Sequence, residues 1–209
     1  MKTITSTELD AICKNGQPID SKGGYPAVVL HPDGTITKLW ARKKGLFSSS
    51  TLSPYSTRFV KNANELAKRG ITVPEITNHA KVEKSHVRLV TYRALPGTSI
   101  RELIQSAPQE IKLTELCRYI DTLHQKGILF GGMHLGNIIQ MPDGYGLIDF
   151  TDVKFFNRPL SIQQRATNLR TPLRYHKDIE GLPKFLETYL TVANLSSDER
   201  QQIRSNLTG

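Results

Sequence analysis

Long apolar runs and cysteines are both scarce in this 209-residue sequence. No apolar run approaches the roughly 18 residues that a membrane-spanning helix needs, and residues 1–17 lack the apolar segment typical of a secretory signal. The two cysteines, Cys13 and Cys117, lie far apart and have no metal-ligand spacing. The sequence therefore predicts a cytoplasmic protein with two reduced thiols rather than a disulfide scaffold.

Acidic residues are also in the minority, since 28 Lys and Arg against 19 Asp and Glu give a net charge of +9. Such a charge favours an anionic partner, which includes nucleic acid, a phosphorylated glycolipid, a membrane surface and a nucleotide. The basic residues are spread along the chain, with no basic tail and no aromatic–basic signature of an RNA-binding module. Nucleic acid is the weakest of these candidates, and a solvated basic surface explains the charge equally well.

The first half of the chain has mainly strand patterns. Residues 27–30 and 35–40 flank a Pro-Asp-Gly turn and predict a β-hairpin. Residues 55–69 predict a helix, which Gly70 ends. Residues 71–76 and 87–92 predict two further strands, the second of them rich in Val, Leu and Tyr.

The second half has mainly helical patterns. A Leu-Pro-Gly break at residues 95–97 precedes a short helix over 100–106, with Ser99 as its cap. An apolar stripe predicts a helix over 112–126, which Gly127 ends, and most of the chain after Ser161 also has a helical pattern. The fold class predicted is α+β with segregated halves, an N-terminal part over residues 1–94 and a C-terminal part over 95–209.

Residues 130–150 are the most informative stretch. They read F-G-G-M-H-L-G-N-I-I-Q-M-P-D-G-Y-G-L-I-D-F, which is a polar loop ending in Asn137, a short apolar strand, a Pro-Asp-Gly turn, a second apolar strand, and then Asp149 before Phe150. An Asn in a turn or an Asp after a strand is ordinary by itself. Only their spacing across a strand–turn–strand unit favours a shared metal site.

With these motifs the chain resembles the protein-kinase-like superfamily, and it is most similar to the bacterial lipopolysaccharide core (Kdo and heptose) kinases and the toluene-tolerance-type proteins grouped with them. The resemblance implies a two-lobed kinase-like fold with a strand-rich N-terminal lobe and a helical C-terminal lobe. It covers about residues 20–180, and its specific motifs are four short islands.

The first two islands imply the metal site. The small-molecule kinases of this superfamily have H-G-D-x-H-x-x-N in the loop where this chain has residues 130–137, so Gly131, His134 and Asn137 fit the pattern. Asn137 and Asp149 are then the implied Mg²⁺ ligands. Asp152 is a nearby alternative to Asp149.

The third island implies contacts to the nucleotide phosphates. Lys38 lies in the strand 35–40, where the family has a lysine that contacts the α- and β-phosphates of ATP. Glu65, the only acidic residue between Leu46 and Val73, is the candidate partner of that lysine. A lysine that faces water and a glutamate in an i,i+3 or i,i+4 surface pair are the alternatives.

The fourth island, residues 90–103, resembles the hinge of a kinase and the helix after it. The resemblance implies that adenine meets backbone groups around Arg93 to Leu95. The loop that covers the phosphates is expected near residues 20–25, where Gly23 and Gly24 permit a close backbone approach.

The loop departs from the family at Gly132, where a kinase has the Asp that accepts the proton of the acceptor hydroxyl. Three interpretations stay open. The protein transfers phosphoryl groups without that Asp, with His134 as one candidate proton acceptor; His134 is instead structural within the loop; or the protein is a pseudokinase that binds nucleotide without transfer and regulates envelope synthesis.

The resemblance implies ATP and Mg²⁺ as cofactors and an anionic phosphosugar or glycolipid as the acceptor. The implied activity is phosphorylation of a sugar hydroxyl on a lipopolysaccharide core or related precursor, in the cytoplasm or at the inner face of the membrane as a peripheral protein. Four arginines after Asp149 are candidates for phosphate contacts or for packing along helices: Arg158, Arg165, Arg170 and Arg174.

Overall fold

We analysed a computed structural model of the chain, which describes residues 1–22, 25–41, 54–174 and 180–208. The chain divides into two compact units. Unit 1 comprises Met1–Leu66 and Val73–Leu95, and unit 2 comprises Ala67–Thr72 and Pro96–Gly209. Strands dominate the first unit and helices the second, and this mixture confirms the predicted α+β content.

Unit 1 is built on a six-stranded sheet with the order β1-β5-β6-β4-β3-β2. The pair β1 and β5 is parallel, and the other neighbours are antiparallel. The strands are β1 (Lys2–Ile4), β2 (Gln17–Lys22), β3 (Tyr25–Leu30), β4 (Thr35–Trp40), β5 (Ile76–Val82) and β6 (Arg88–Arg93). Strand β4 is an interior strand, with β3 on one side and β6 on the other.

Two helices cover opposite faces of this sheet. Helix α1 (Ser6–Lys14) buries Leu9 in a cluster with Val29, Leu39 and Leu89. Helix α2 (Tyr55–Lys68) places Phe59 on the other face, where its ring lies 5.9 Å from Trp40 and 5.6 Å from Tyr92. Side chains alternate between the two faces of a strand, so even-numbered residues of β4 face the side of α2.

The predicted hairpin is confirmed, because β3 and β4 pair across a turn in which Gly34 has a φ of +78°. The strand predicted over residues 71–76 is wrong: only Thr72 makes an isolated bridge, and β5 begins at Ile76. Ile71 is buried, so its apolar character reflects packing outside a sheet. Strands β1 and β2 were not predicted either, because short polar edge segments carry no alternation.

The last residues of helix α2 and the segment after it belong to unit 2, and hydrogen bonds join them to it. The Arg69 guanidinium donates hydrogen bonds to the carbonyls of Lys126 (2.6 Å) and Phe156 (2.8 Å), and Lys126 Nζ donates to the Arg69 carbonyl (2.6 Å). Thr72 bridges Gly146 in parallel, and the N–H of Leu147 donates to the Thr72 carbonyl at 3.0 Å. These contacts attach the segment Ala67–Thr72 to the strands of unit 2.

Unit 2 has a three-stranded sheet with the order β10-β9-β7 and a two-stranded pair of β11 and β8. The strands are β7 (Thr98–Ser99), β8 (Ile128–Phe130), β9 (Ile138–Met141), β10 (Gly144–Leu147) and β11 (Val153–Phe155). All these pairings are antiparallel. The predicted strand–turn–strand unit is therefore confirmed as the β9–β10 hairpin.

The helices of unit 2 are α3 (Ile100–Ser106), α4 (Leu113–Gln125), α5 (Ile162–Leu173), α6 (Phe185–Val192) and α7 (Ser197–Thr208). Ser99 and Glu102 form a reciprocal capping box at the start of α3, as the sequence predicted. Gly127 ends the α4 segment with a φ of +68°, a conformation that glycine adopts without steric cost. Helix α4 packs on α6, and α5 packs on α7.

Within the described ranges, no helix is long and apolar enough to cross a bilayer. Neither Cys13 nor Cys117 takes part in a disulfide.

Candidate functional site

The loop of residues 131–137 lies between strands β8 and β9, and two strand pairs hold its ends. At one end the Gly131 N–H donates to the Asp152 carbonyl at 2.8 Å, which continues the pairing of β8 with β11. At the other end the Ile148 N–H donates to the Asn137 carbonyl at 3.0 Å, which continues the pairing of β9 with β10. The backbone thus brings Asn137 next to the segment that carries Asp149.

Asn137 is held in a defined orientation. Its side chain is buried, at 6% exposure, and its Nδ2 donates to the Gly132 carbonyl at 2.9 Å. Its own N–H donates to the His134 carbonyl, also at 2.9 Å, which closes a short 3₁₀ turn over Leu135–Asn137. Because Nδ2 is the donor in the loop, Oδ1 is the amide atom with which Asn137 would ligate a cation.

Asp149 follows strand β10 in a left-handed conformation, with a φ of +51°. Among the described residues other than glycine, only Lys84 shares a positive φ, and Lys84 lies in a hairpin turn. Aspartate tolerates this region better than most residues, and such conformations are concentrated at functional sites. The carboxylate of Asp149 is exposed, while Phe150 beside it is fully buried and anchors the turn.

These two residues fit a magnesium ion whose remaining ligands are phosphate oxygens and water. Oxygen ligands from one or two protein side chains, completed by substrate phosphates and water, are the usual coordination of Mg²⁺ at such sites. In the part of the chain that the structure describes, no group of three or more His, Cys, Asp or Glu could hold a metal by itself. Asn137 and Asp149 would therefore supply at most part of the coordination of such an ion.

Gly132, which the sequence predicts to lie at the position of the kinase base, presents only backbone. A Cβ added there would lie 3.1 Å from Phe130 Cε2 and 3.5 Å from Asn137 Nδ2, so a side chain fits if the Phe130 ring moves by a few tenths of an ångström. The Gly132 carbonyl accepts from both Asn137 Nδ2 and the His134 N–H. The loop therefore keeps its hydrogen bonds without any side chain at this position.

His134 is half-buried at the start of the 3₁₀ turn. Its N–H donates to the Gly132 carbonyl at 2.8 Å. Its Nδ1 is buried and lies 3.3 Å from the position that a Cβ on Gly136 would take. The buried Nδ1 is therefore not the ring nitrogen that would meet an acceptor hydroxyl.

A chain of buried hydrogen bonds lies beneath the loop. Asn168 Nδ2 donates to the Phe130 carbonyl at 2.6 Å, directly before Gly131. Asn168 Oδ1 is 3.1 Å from Nε2 of His124, whose Nδ1 is 2.7 Å from the Tyr189 hydroxyl. The same hydroxyl accepts a hydrogen bond from Arg165 at 3.0 Å, and Arg165 pairs with Asp121 at 2.6 Å.

The donors and acceptors in this series of hydrogen bonds allow only one assignment of the protons. Arg165 can only donate, so the Tyr189 hydroxyl gives its proton to His124 Nδ1, and His124 Nε2–H donates to Asn168 Oδ1. Asn168 Nδ2 is then free to donate to the Phe130 carbonyl. His124 is fully buried, and burial together with the nearby Arg165 charge lowers its pKa to about 3, which keeps the ring neutral.

Sequence reasoning missed this series of buried hydrogen bonds. His124 and Asn168 both lie at positions of helical apolar stripes, where a polar residue signals either a buried hydrogen bond or an interruption of the stripe. Arg165 was a candidate for acceptor phosphates, but the structure shows it buried at 3% exposure with its charge paired inside the unit. Arg170 also donates to the Asn206 carbonyl, so these two arginines pack along helices.

In unit 1, Lys38 lies on the interior strand β4 between Val28 and Val90. It is half-buried, and its Nζ lies 5.8 Å from the centre of the Trp40 ring. Lys38 therefore does not lie on an edge strand, and its side chain is only partly exposed. By strand alternation Lys38 shares with Trp40 the face that helix α2 covers.

Glu65 is half-buried on helix α2, within unit 1. Helix α2, which carries Glu65, packs on the face of the sheet that carries Lys38. This placement is what a lysine–glutamate pair requires.

The residues predicted to form the hinge lie at the end of β6. The Arg93 N–H donates to the Glu75 carbonyl at 2.9 Å, and its side chain forms an exposed ion pair with Glu75 at 3.1 Å. The N–H of Ala94 donates to the Gly34 carbonyl at 3.4 Å, and Leu95 is half-buried. Gly23 and Gly24, predicted for the loop over the phosphates, lie outside the described residues.

Comparisons with known proteins show the fold. No protein-family model matches the chain, and no curated protein matches it. One similar solved structure is described as the medium-resolution structure of the bifunctional kinase-methyltransferase WbdD, with 12% identity, a TM-score of 0.50 and coverage of 87% of this chain and 47% of that chain. Another is the crystal structure of monomeric WbdD, with 14% identity, a TM-score of 0.54 and coverage of 87% and 43%.

The chain thus spans less than half the length of either WbdD structure. At such low identities the likeness shows only that the chain shares a fold with part of WbdD.

Proposed function

We propose that this chain binds ATP with Mg²⁺ and transfers the γ-phosphoryl group to a sugar hydroxyl of a lipopolysaccharide core or related envelope glycolipid precursor. The observation that carries the proposal is the β9–β10 pairing in a kinase-like fold, because it joins the backbone of Asn137 to Ile148, the residue before the left-handed Asp149. The proposal includes an N-terminal lobe over residues 1–94, a C-terminal lobe over 95–209 and a cytoplasmic location.

Each residue then has a role that its chemistry suits. Asn137 Oδ1 and the Asp149 carboxylate hold Mg²⁺, which when bound neutralises charge on the phosphate oxygens. Lys38 binds the α- and β-phosphates, and Glu65 orients Lys38. Backbone groups near Arg93 and Leu95 bind adenine.

The acceptor class is supported by composition and by the resemblance of the motifs. A net charge of +9 favours an anionic acceptor, and Arg158 and Arg174 are both exposed on the described surface of unit 2. Phosphoryl transfer depends mainly on positioning and on electrostatic stabilisation, so the glycine at position 132 does not by itself prevent it.

A pseudokinase that binds nucleotide without transfer, and regulates envelope synthesis, is the second candidate. Gly132 favours it, because the loop keeps its geometry while it lacks the carboxylate of an ordinary kinase. A nucleic-acid-binding protein rests on net charge alone.

Thermal unfolding with and without ATP and Mg²⁺ tests the nucleotide site. A ligand at one hundred times its Kd stabilises a protein by about 2.7 kcal/mol, which for a chain of this length is a rise in Tm of roughly 5–10 °C. We expect this rise for the wild type and for Asp143→Asn, an exposed turn residue in the same unit, and its loss in Asp149→Asn.

An unchanged Tm in the wild type would contradict the nucleotide site, and so would an equal rise in Asp149→Asn. Strong, salt-dependent RNA binding without any effect of ATP would favour the nucleic-acid alternative.

A further inference from the structure

The carboxylate of Asp152 lies directly against the loop at Gly131. A Cβ added to Gly131 would lie 2.3 Å from Asp152 Oδ2 and 2.8 Å from its Cγ. Such distances mean that any side chain at this position would displace the carboxylate. The absence of a side chain at Gly131 therefore makes room for the Asp152 carboxylate.

The backbone holds Asp152 in this position. Its carbonyl accepts the Gly131 N–H at 2.8 Å, and strand β11 begins at the next residue and pairs with β8. Because consecutive Cα atoms are 3.80 Å apart, the Asp152 carboxylate lies no more than about 8 Å from the Cα of Gly132. A carboxylate is therefore present beside the loop, one position away from the missing base.

Asp152 suits the task of a proton acceptor better than the neighbouring alternatives. It is exposed, as a group that meets an acceptor hydroxyl must be. The Nδ1 of His134 is buried, and Asp149 would be occupied by the metal. Among the described side chains of the loop and the segment after β10, Asp152 remains as the carboxylate with this access.

We propose that Asp152 is the catalytic base that replaces the residue missing at Gly132, an inference that rests on the proposed phosphotransferase function. Asp152 accepts the proton of the acceptor hydroxyl as its oxygen forms a bond to the γ-phosphorus. The bond from that phosphorus to the bridging oxygen breaks, and ADP leaves with the electron pair. The proton then passes from Asp152 to solvent, so the products are a phosphate monoester, ADP and H⁺.

Asp152→Asn tests this role with γ-labelled ATP and Mg²⁺, measured as transfer to Kdo and heptose and as hydrolysis with water as the acceptor. General bases contribute about 10²–10⁴-fold, so we expect turnover to fall at least 100-fold while the rise in Tm with ATP and Mg²⁺ stays as in the wild type. Asp143→Asn should keep both turnover and the rise in Tm. Adding Gly132→Asp to Asp152→Asn should restore a large part of the lost turnover.

Gly131→Ala provides a second variant in case Asp152→Asn does not fold. The new Cβ should push the carboxylate away and lower turnover, and it should have no further effect once Asp152 is Asn. Wild-type turnover in Asp152→Asn would overturn the inference, and so would a wild type that binds ATP without any transfer or hydrolysis, which identifies a pseudokinase. A wild type that does not bind ATP would instead overturn the proposed function itself.

Discussion

The two sides of the 131–137 loop differ in how they are built. On the buried side, Asn168 and His124 connect the Phe130 carbonyl to an ion pair inside unit 2 through successive hydrogen bonds. On the open side, Gly131 and Gly132 present backbone, and the carboxylates beside them are exposed. The comparison teaches that the position of the loop is determined from beneath and does not depend on a side chain at position 132.

The largest effect is expected from Asp121→Ala on the buried side. It would leave the Arg165 guanidinium buried without its carboxylate, which typically costs about 3–5 kcal/mol and lowers Tm by roughly 6–20 °C. Thermal unfolding measures the effect. Glu187→Ala is the matched control, because it removes an ion pair of the same 2.6 Å length that is largely exposed, at 42% and 62%.

An exposed pair contributes about 1 kcal/mol or less. If both variants lowered Tm equally, burial of the Asp121–Arg165 pair would not matter to stability, and the contrast between the two sides of the loop would fail.

An intermediate, pH-dependent effect is expected from His124→Gln. The pKa of His124 is lowered from 6.5 to about 3 in the folded protein by burial and by Arg165, so between these values the unfolded chain binds the extra proton. The stabilising contribution of the neutral ring is complete above pH 6.5 and is lost as the pH falls from 6.5 towards 3. Urea unfolding between pH 7 and pH 4 should therefore show a shallower loss of stability in the variant.

Because the carboxylates titrate in both proteins, the test compares slopes and not absolute stabilities. Parallel curves for the wild type and His124→Gln would show that His124 is not the buried neutral group described here.

The smallest effect is expected from Gly132→Ala on the open side. The new Cβ would contact the Phe130 ring at 3.1 Å, and the backbone at residue 132 is not in the left-handed conformation that disfavours alanine. The free energy of unfolding should therefore change by less than about 1 kcal/mol. Thermal unfolding should give a Tm within roughly 4 °C of the wild type. A loss as large as that of Asp121→Ala would mean that the open side also holds the fold.

Local patterns predicted many elements correctly. The β3–β4 hairpin, the capping box at Ser99 and the strand–turn–strand unit before Asp149 all depend on residues close in sequence, and the structure has them. The strand predicted over residues 71–76 failed because burial of Ile71 makes the segment apolar without placing it in a sheet. The roles of Lys38, Asn137 and Asp149 stay predictions.

The sequence by itself determined several of the strand and helix segments, the hairpin that lies between Asn137 and Asp149, and the glycine at position 132, because spacing and residue type are local properties. Only the tertiary structure decided that His124, Asn168, Tyr189 and Arg165 form one chain beneath the loop, and that Asp152 lies against Gly131. These contacts join residues from 21 to 65 positions apart, and no local pattern records which distant side chains become neighbours when helices and strands pack.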